Sequence, residues 1–214
     1  MREPVEASVR AAIAGWGRSL FERGLTSGSS GNISVRQGDR IIATPTNSCL
    51  GFLDAERLSV VSLAGDHLGG DAPTKELPLH LAFYRARADR GAVVHLHSSH
   101  ATALSCLRDT APENAIPPVT PYVVMRAGAV PVVPYRRPGS PEAGEVVARV
   151  AGRSGAVLIA NHGPVAADKD LDSAVFAIEE IEEAARLILL TRGLDVRLLD
   201  EAAVADLNAT FRDG

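Results

Sequence analysis

Apolar residues recur at helical spacing near the start of the chain. Val5, Val9, Ala12, Ile13, Trp16 and Leu20 share one face of a helix running up to Gly24, with Pro4 suited to its first turn. The small-residue run Gly28-Ser29-Ser30-Gly31 then breaks the pattern, and period-two or β-branched segments follow. Asn32 to Arg36 and Arg40 to Thr44, joined by the turn Gln37-Gly38-Asp39, predict a hairpin, and Leu58 to Ser62 a further strand before the turn Ala64-Gly65-Asp66. Leu77, Leu81 and Tyr84 line one face of a helix from about Lys75 to Ala88. Ala92 to His97 reads as a buried strand, Ser98 to Leu107 as a short helix, and residues 109 to 121, with four prolines, as loop. Val130–Val133 is a short strand, Pro141–Gly152 a helix, and Ala156–Ala160 a strand. The sharp loop Asn161-His162-Gly163-Pro164 leads to a returning strand, Val165–Ala167. Leu171, Ala174, Val175, Ile178, Ile181, Ala185 and Ile188 then mark a long amphipathic helix, and Asp200 to Phe211 a last one. The cluster Glu179, Glu180, Glu182 and Glu183 reads as the solvated face of the long helix. Hairpins interleaved with helices predict a mixed sheet covered on both sides. No repeat or linker divides the chain, so residues 1–214 are expected to form a single domain.

Composition narrows the class of protein. Hydrophobic residues at 46%, charged residues at 22% and aromatics at 4% describe an ordinary globular chain. A net charge of −4 speaks against a nucleic-acid partner. No apolar run is long enough for a membrane span, and the acidic N-terminus lacks the apolar core of a signal peptide. Cys49 and Cys106, far apart and in no CxxC pair, read as reduced core thiols of a cytoplasmic protein. All but Lys75 and Lys169 of the 22 basic residues are arginine, which makes a lysine beside a candidate catalytic residue notable.

The chemistry concentrates in the histidines. His95 and His97, two apart on a predicted strand, point to the same face. Paired imidazoles on an apolar strand suit a zinc ion or a similar divalent cation, and a site with three ligands leaves a position open to substrate. His162, in the loop between two strands, is one candidate third ligand, and His100, completing the spacing H-x-H-x-x-H, is its rival. His80 falls one helical turn after Glu76 and reads as structural, whereas His67 lies in a turn at the surface. Glu76 opens its helix, where the dipole alone would stabilise a carboxylate. It is also placed to act as general acid/base or as a fourth metal ligand. The Gly28-to-Asn32 loop and the polar turn Thr44-Pro45-Thr46-Asn47-Ser48 offer backbone N–H groups and hydroxyls to an anion, but neither is a P-loop or a dinucleotide fingerprint.

In order and spacing these segments resemble the class II aldolase/adducin family. The matching stretches are GLTSGSSGNISVR, TPTNSCLG, the run Gly70-Asp71-Ala72-Pro73-Thr74-Lys75-Glu76, AVVHLHSSHATALS, and NHGP followed by a long helix, together spanning about residues 10 to 195. The resemblance implies a three-layer α/β/α sandwich with a mixed, largely antiparallel central sheet, assembled as a homotetramer with active sites at subunit interfaces. It also implies that His95, His97 and His162 hold Zn2+ or another divalent metal, one per subunit, with Glu76 as the acid/base that can also touch the metal. Ser30, Gly31, Asn32, Thr46, Asn47, Thr74 and Lys75 fall on phosphate-binding positions. Asn47 stands where glycine is usual, and asparagine tolerates the left-handed backbone that such a turn needs.

Within the family, TPTNSCLGFLD, PTKE and TPYVVMRAGAVPVVPYRRPG are most similar to members that decarboxylate a 3-oxo-tetronate 4-phosphate. Such a reaction yields dihydroxyacetone phosphate and CO2 through an enediolate whose charge the metal takes up. Glu76 is the expected proton donor, with Tyr122, from the region that lends a tyrosine to a neighbouring subunit, as a second candidate. Lys75 falls on the phosphate side, since tight cationic binding of the departing carboxylate would stabilise the ground state. Arg126 is a possible selectivity contact. Two alternatives remain open at this point: an aldolase cleaving a sugar phosphate to dihydroxyacetone phosphate and an aldehyde, and a non-catalytic adducin-like interaction module.

Overall fold

The computed structural model describes residues 2–211; Met1 and residues 212–214, part of the expected 1–214 span, lie outside the described residues. Eight strands are present among them: β1 (Asn32–Gln37), β2 (Arg40–Ala43), β3 (Ser59–Ser62), β4 (His67–Gly69), β5 (Ala92–His95), β6 (Val132–Val133), β7 (Ala156–Ile159) and β8 (Gly163–Asp168). They form one sheet in the order β4-β3-β2-β1-β5-β8-β7-β6. Neighbours run antiparallel except β6 and β7, which are parallel. The helices are α1 (Arg2–Glu22), α2 (Leu77–Ala86), α3 (Ser99–Ser105), α4 (Pro121–Arg126), α5 (Pro141–Ala151), α6 (Leu171–Leu190) and α7 (Glu201–Phe211).

Period-two alternation sorts the strand residues into two cores. Ile42, Val94 and Leu158 turn towards α1, α3, α4 and α6, whereas Ile41, Val93 and Val157 turn towards α2 and α5. The expected three-layer α/β/α sandwich with a largely antiparallel sheet is therefore the fold observed. The β1–β2 hairpin closes on Gly38-Asp39, with Gly38 at φ 63°, as its turn composition requires. Asp170 caps α6 by accepting the Ser173 N–H at 2.7 Å. Among the described residues no helix is long and apolar enough to cross a membrane.

The structure departs from the sequence reading at several points. The strand expected to reach His97 stops at His95, where the ladder ends on both sides: Asn32 and Val165 are the last partners of His95. The helix expected from Lys75 starts at Leu77, with Lys75 and Glu76 in the preceding turn. Edge strand β4 was not signalled, because its three residues carry no alternation; His67 lies on it, exposed as expected, with its Nε2 2.9 Å from the Gly69 carbonyl. Helix α4, with Thr120 as its cap and Pro121 in its first turn, starts where the proline-rich loop was expected to end. The cysteines are free, but neither is a core residue: Cys49 is half-buried, and Cys106, just past the end of α3, is exposed.

Candidate metal centre

Sheet register builds the site. Asn32 on β1 and His95 on β5 are directly opposite each other at the end of the ladder. Both turn towards the layer of α2, since they share the parity of Ser34 and Val93. Glu76, the residue before α2, reaches in between them: Asn32 Nδ2 donates to Glu76 Oε2 at 2.8 Å, and His95 Nε2 lies 3.5 Å from the same oxygen. The tight turn from β7 to β8, with Asn161 at φ 55°, brings in His162. Two glycines are required by close approach. A Cβ on Gly31 (φ 82°) would stand 3.1 Å from the His95 carbonyl, and one on Gly163 (φ 146°) only 2.5 Å from the Leu96 carbonyl, just ahead of His97.

One ligating atom each from Glu76, His95, His97 and His162 falls within 4.8 Å of all the others. His95 Nε2 lies 3.1 Å from His97 Nε2 and 3.3 Å from His162 Nε2, and His162 Nε2 lies 3.1 Å from Glu76 Oε1. A tetrahedral ion with ligands at roughly 2.0–2.1 Å separates those ligands by about 3.3 Å. These three spacings are close to those of such a coordination shell. His95 Nδ1 sits 2.8 Å from the Pro164 carbonyl, which can only accept, so the ring proton is on Nδ1 and the Nε2 lone pair faces the cluster. Glu76 Oε1 is buried and, despite its distance from His162, has no hydrogen-bond partner of acceptable geometry. An unsatisfied carboxylate oxygen among converging imidazole nitrogens fits a divalent cation.

The local electrostatics favour the ligand forms of these groups. Burial pushes His95 down to about 3 and lowers His97, so both are neutral imidazoles at pH 7. Burial alone would raise Glu76, but the close contact with His162, the electrostatic pull of the neighbouring imidazoles and the Asn32 amide outweigh it and hold the carboxyl far below its usual range. The His97 side chain is partly exposed and, with Ser29, Ser30, Gly31, Lys75, Glu76, Pro138 and His162, lines an open cavity of about 260 Å³. A larger groove of about 700 Å³ between α2 and α5 is lined mainly by Leu77, Leu81, Ala82, Pro141 and similar residues, and holds none of this chemistry.

Other candidate residues fall nearby or elsewhere. Thr74 is buried and accepts the Glu76 N–H on its hydroxyl at 3.2 Å. Thr46 and Asn47 line a separate polar cavity with Arg57 and Asp71, although the Thr46 N–H to Ala72 carbonyl bond ties their turn to the segment leading to Lys75. Asn47 does adopt the left-handed backbone, at φ 56°. Tyr122 is exposed on α4 and does not line the cavity around Glu76. Arg126 stacks its guanidinium 5.4 Å above the Phe176 ring instead of reaching that cavity. His100 is no third ligand: its Nδ1 lies 2.7 Å from Glu182 Oε1. Glu182 in turn corrects the reading of the acidic cluster as a solvated face. It is buried and accepts the N–H groups of His100 and Ala101, fixing the start of α3 directly after His97. Its partners lie some 80 residues away in sequence, so no local pattern announces them.

A sandwich of this topology with three imidazoles and a carboxylate at one sheet end defines a class of metal-dependent carbon–carbon lyases. The family description Class II Aldolase and Adducin N-terminal domain matches residues 11–189, and the chain belongs to that family. It is 50% identical over 204 residues to the 3-oxo-tetronate 4-phosphate decarboxylase of Pectobacterium atrosepticum, covering 95% of this chain and 94% of that protein. The crystal structure of YgbL from Klebsiella pneumoniae superposes with a TM-score of 0.92 at 47% identity, over 94% of this chain and 98% of that one. An L-fuculose phosphate aldolase of Methanocaldococcus jannaschii is 37% identical over 173 residues, 81% of this chain and 91% of that protein.

Proposed function

We propose that this protein decarboxylates a 3-oxo-tetronate 4-phosphate to dihydroxyacetone phosphate and CO2. The observation that carries the reading is the convergence of Glu76, His95, His97 and His162 on one point, in a cavity that also holds Lys75. The similarity to 3-oxo-tetronate 4-phosphate decarboxylases over nearly the whole chain supports the choice of substrate. His95, His97 and His162 hold the cation, with zinc the ion best suited to three imidazoles and a carboxylate. When bound, it supplies positive charge that takes up the electrons released as the C1–C2 bond breaks.

The chain's own residues do the rest. Lys75 and the N–H groups around Ser30 and Gly31 hold the phosphate, so binding energy is not spent on the departing carboxylate. Thr46 and Asn47 act as an outer part of that anion site. The two Glu76 oxygens have different duties: Oε2 is tied by Asn32, while Oε1, which has no hydrogen-bond partner, takes a proton from solvent and passes it to C2 in place of CO2, so that the carboxylate relays the proton and does not store it. Solvent reaches it through the open mouth. Exposed Tyr122, together with exposed Phe52, Leu190 and Leu194, supports a homotetramer in which a tyrosine from a neighbouring copy completes the site. The single continuous sheet supports reading the chain as one domain, and free Cys49 and Cys106 suit a reducing cytoplasm.

The test supplies 3-oxo-tetronate 4-phosphate and ketose phosphates separately to zinc-loaded protein. CO2 release with dihydroxyacetone phosphate and no aldehyde is the expected result. Aldehyde with dihydroxyacetone phosphate from a sugar phosphate, and no CO2, would make it an aldolase. Failure to bind metal at all would leave an interaction module. Light scattering on the eluting protein gives the oligomer size.

A further inference from the structure

Behind Glu76 a row of buried polar groups leads away from the site. Asn32 Oδ1 faces His80 Nε2 at 2.6 Å, His80 Nδ1 faces Ser34 Oγ at 2.7 Å, and Ser34 Oγ lies 2.8 Å from the Tyr84 hydroxyl. Ser34 and His80 are fully buried, and Tyr84, Asn32 and Glu76 are no more than 6% exposed. Water therefore has no part in settling which atom donates.

The direction of every hydrogen follows from the end at Glu76. A carboxylate oxygen only accepts, so Asn32 turns its NH2 towards Oε2 and its carbonyl towards His80. His80 Nε2 must then carry the ring proton, leaving Nδ1 to accept from Ser34, whose oxygen accepts from Tyr84. The opposite tautomer of His80 would turn the Asn32 amide over and set its carbonyl against Glu76 Oε2, two acceptors at hydrogen-bond distance.

We propose that His80 is a positioning residue for the reaction. Through its Nε2–H it locks the Asn32 amide in the orientation that ties Glu76 Oε2 and leaves Oε1 free for the proton transfer. A histidine that merely fills the core would have no preference between the two amide orientations. The inference rests on the acid/base role proposed above for Glu76.

The test compares two substitutions in the zinc-loaded protein. His80→Gln puts an amide N–H where Nε2–H stood and keeps the donor to Asn32, whereas His80→Asn keeps only an acceptor near the Nδ1 position. His80→Gln is expected to retain kcat within about 3-fold. His80→Asn is expected to lose about 30-fold in kcat, with KM and metal content unchanged, in the range typical of residues behind a metal ligand. Nitrogen NMR of wild-type protein, with and without zinc, is expected to show His80 as the Nε2–H tautomer. An Nδ1–H tautomer, equal losses in the two variants, or a loss matched by a rise in KM or by missing zinc would overturn the proposal. Wild-type protein that releases no CO2 overturns the functional reading alone. The tautomer, and the same kcat comparison on whatever aldol cleavage it then catalyses, still decide the role of His80.

Discussion

Two kinds of buried imidazole serve Glu76: His95 lies 3.5 Å from its Oε2, and His80 reaches the same oxygen through the Asn32 amide. His80 has a partner at each ring nitrogen, Asn32 and Ser34. His95 has a carbonyl at Nδ1, but its Nε2 looks at two other imidazole nitrogens, 3.1 and 3.3 Å away. Burial is the same, 0% exposure for both. The difference lies in what surrounds the ring: a satisfied hydrogen-bond network stabilises a fold by itself, while converging lone pairs need a cation to be satisfied. Burial of a histidine therefore says little about its role, whereas the chemistry of its neighbours says a great deal.

The sharpest way to break this contrast is to remove one of the converging rings. His97→Ala is expected to abolish stoichiometric zinc, measured by elemental analysis, and to lower turnover by about 10³-fold or more. Full metal content in that variant would mean that the ion is held elsewhere. Glu76→Gln is the next largest. The three imidazoles still hold the ion, so most of the metal is retained, but kcat falls by about 10² to 10⁴-fold as the proton donor is lost. Full activity would end its acid/base assignment.

Chelation acts on one environment only. A zinc ion that binds the folded cluster and not the unfolded chain would, at 100 to 1,000 times Kd, add about 3–4 kcal/mol, or roughly 6–15 °C in Tm for a chain of this size. EDTA is expected to remove that increment, and added zinc to restore it. A Tm unmoved by EDTA would show that the cluster holds no ion.

Acid acts on the other environment. Burial pushes His80 down to about 4 from an ordinary value near 6.5, with Glu76 opposing the shift. Between those values the unfolded chain binds a proton that the folded chain refuses, so stability rises with pH across that window and falls as pH drops from 6.5 to 4. For a fully buried ring the sum is at most about 3 kcal/mol. In metal-free protein His95 adds a loss of the same sign, its folded value lying near 3. Urea titrations from pH 4 to 7 should therefore give a flatter stability curve for His80→Gln than for wild type. Identical curves would mean that His80 titrates normally.

Much of this was legible in the chain. The spacing of His95 and His97 points to paired imidazoles, but the third partner stays open between His162 and His100, and only the family resemblance implies a set with Glu76, because Glu76, His97 and His162 sit just outside the regular elements. The register that pairs Asn32 with His95 was not legible, since the hairpin and β5 are some 50 residues apart and their pairing depends on the whole sheet. His97 reaches His95 by another route than the expected strand pairing: the two rings meet although the strand ends two residues earlier. What escaped altogether are side chains acting across layers, of which Asn32 with His80 and Glu182 with α3 are the two examples that touch the site.

Glu182 allows the smallest and most selective test. Burial pushes its proton affinity up, but the amides of Ala101 and His100 outweigh burial and keep it ionised. A carboxylate that accepts two amides at a helix start holds the segment just after His97. Glu182→Gln removes the charge and one of the two acceptors. The expected cost is about 1–3 kcal/mol, the usual worth of hydrogen bonds to a charged group. If the segment matters to the ligand, zinc affinity by competition titration should also weaken, by about 3- to 10-fold, with His95 and His162 still binding. A lower Tm with unchanged zinc affinity would confine Glu182 to capping α3. It would also show that His97 is positioned by the strand end and by the close approach at Gly163, without help from the helix that follows it.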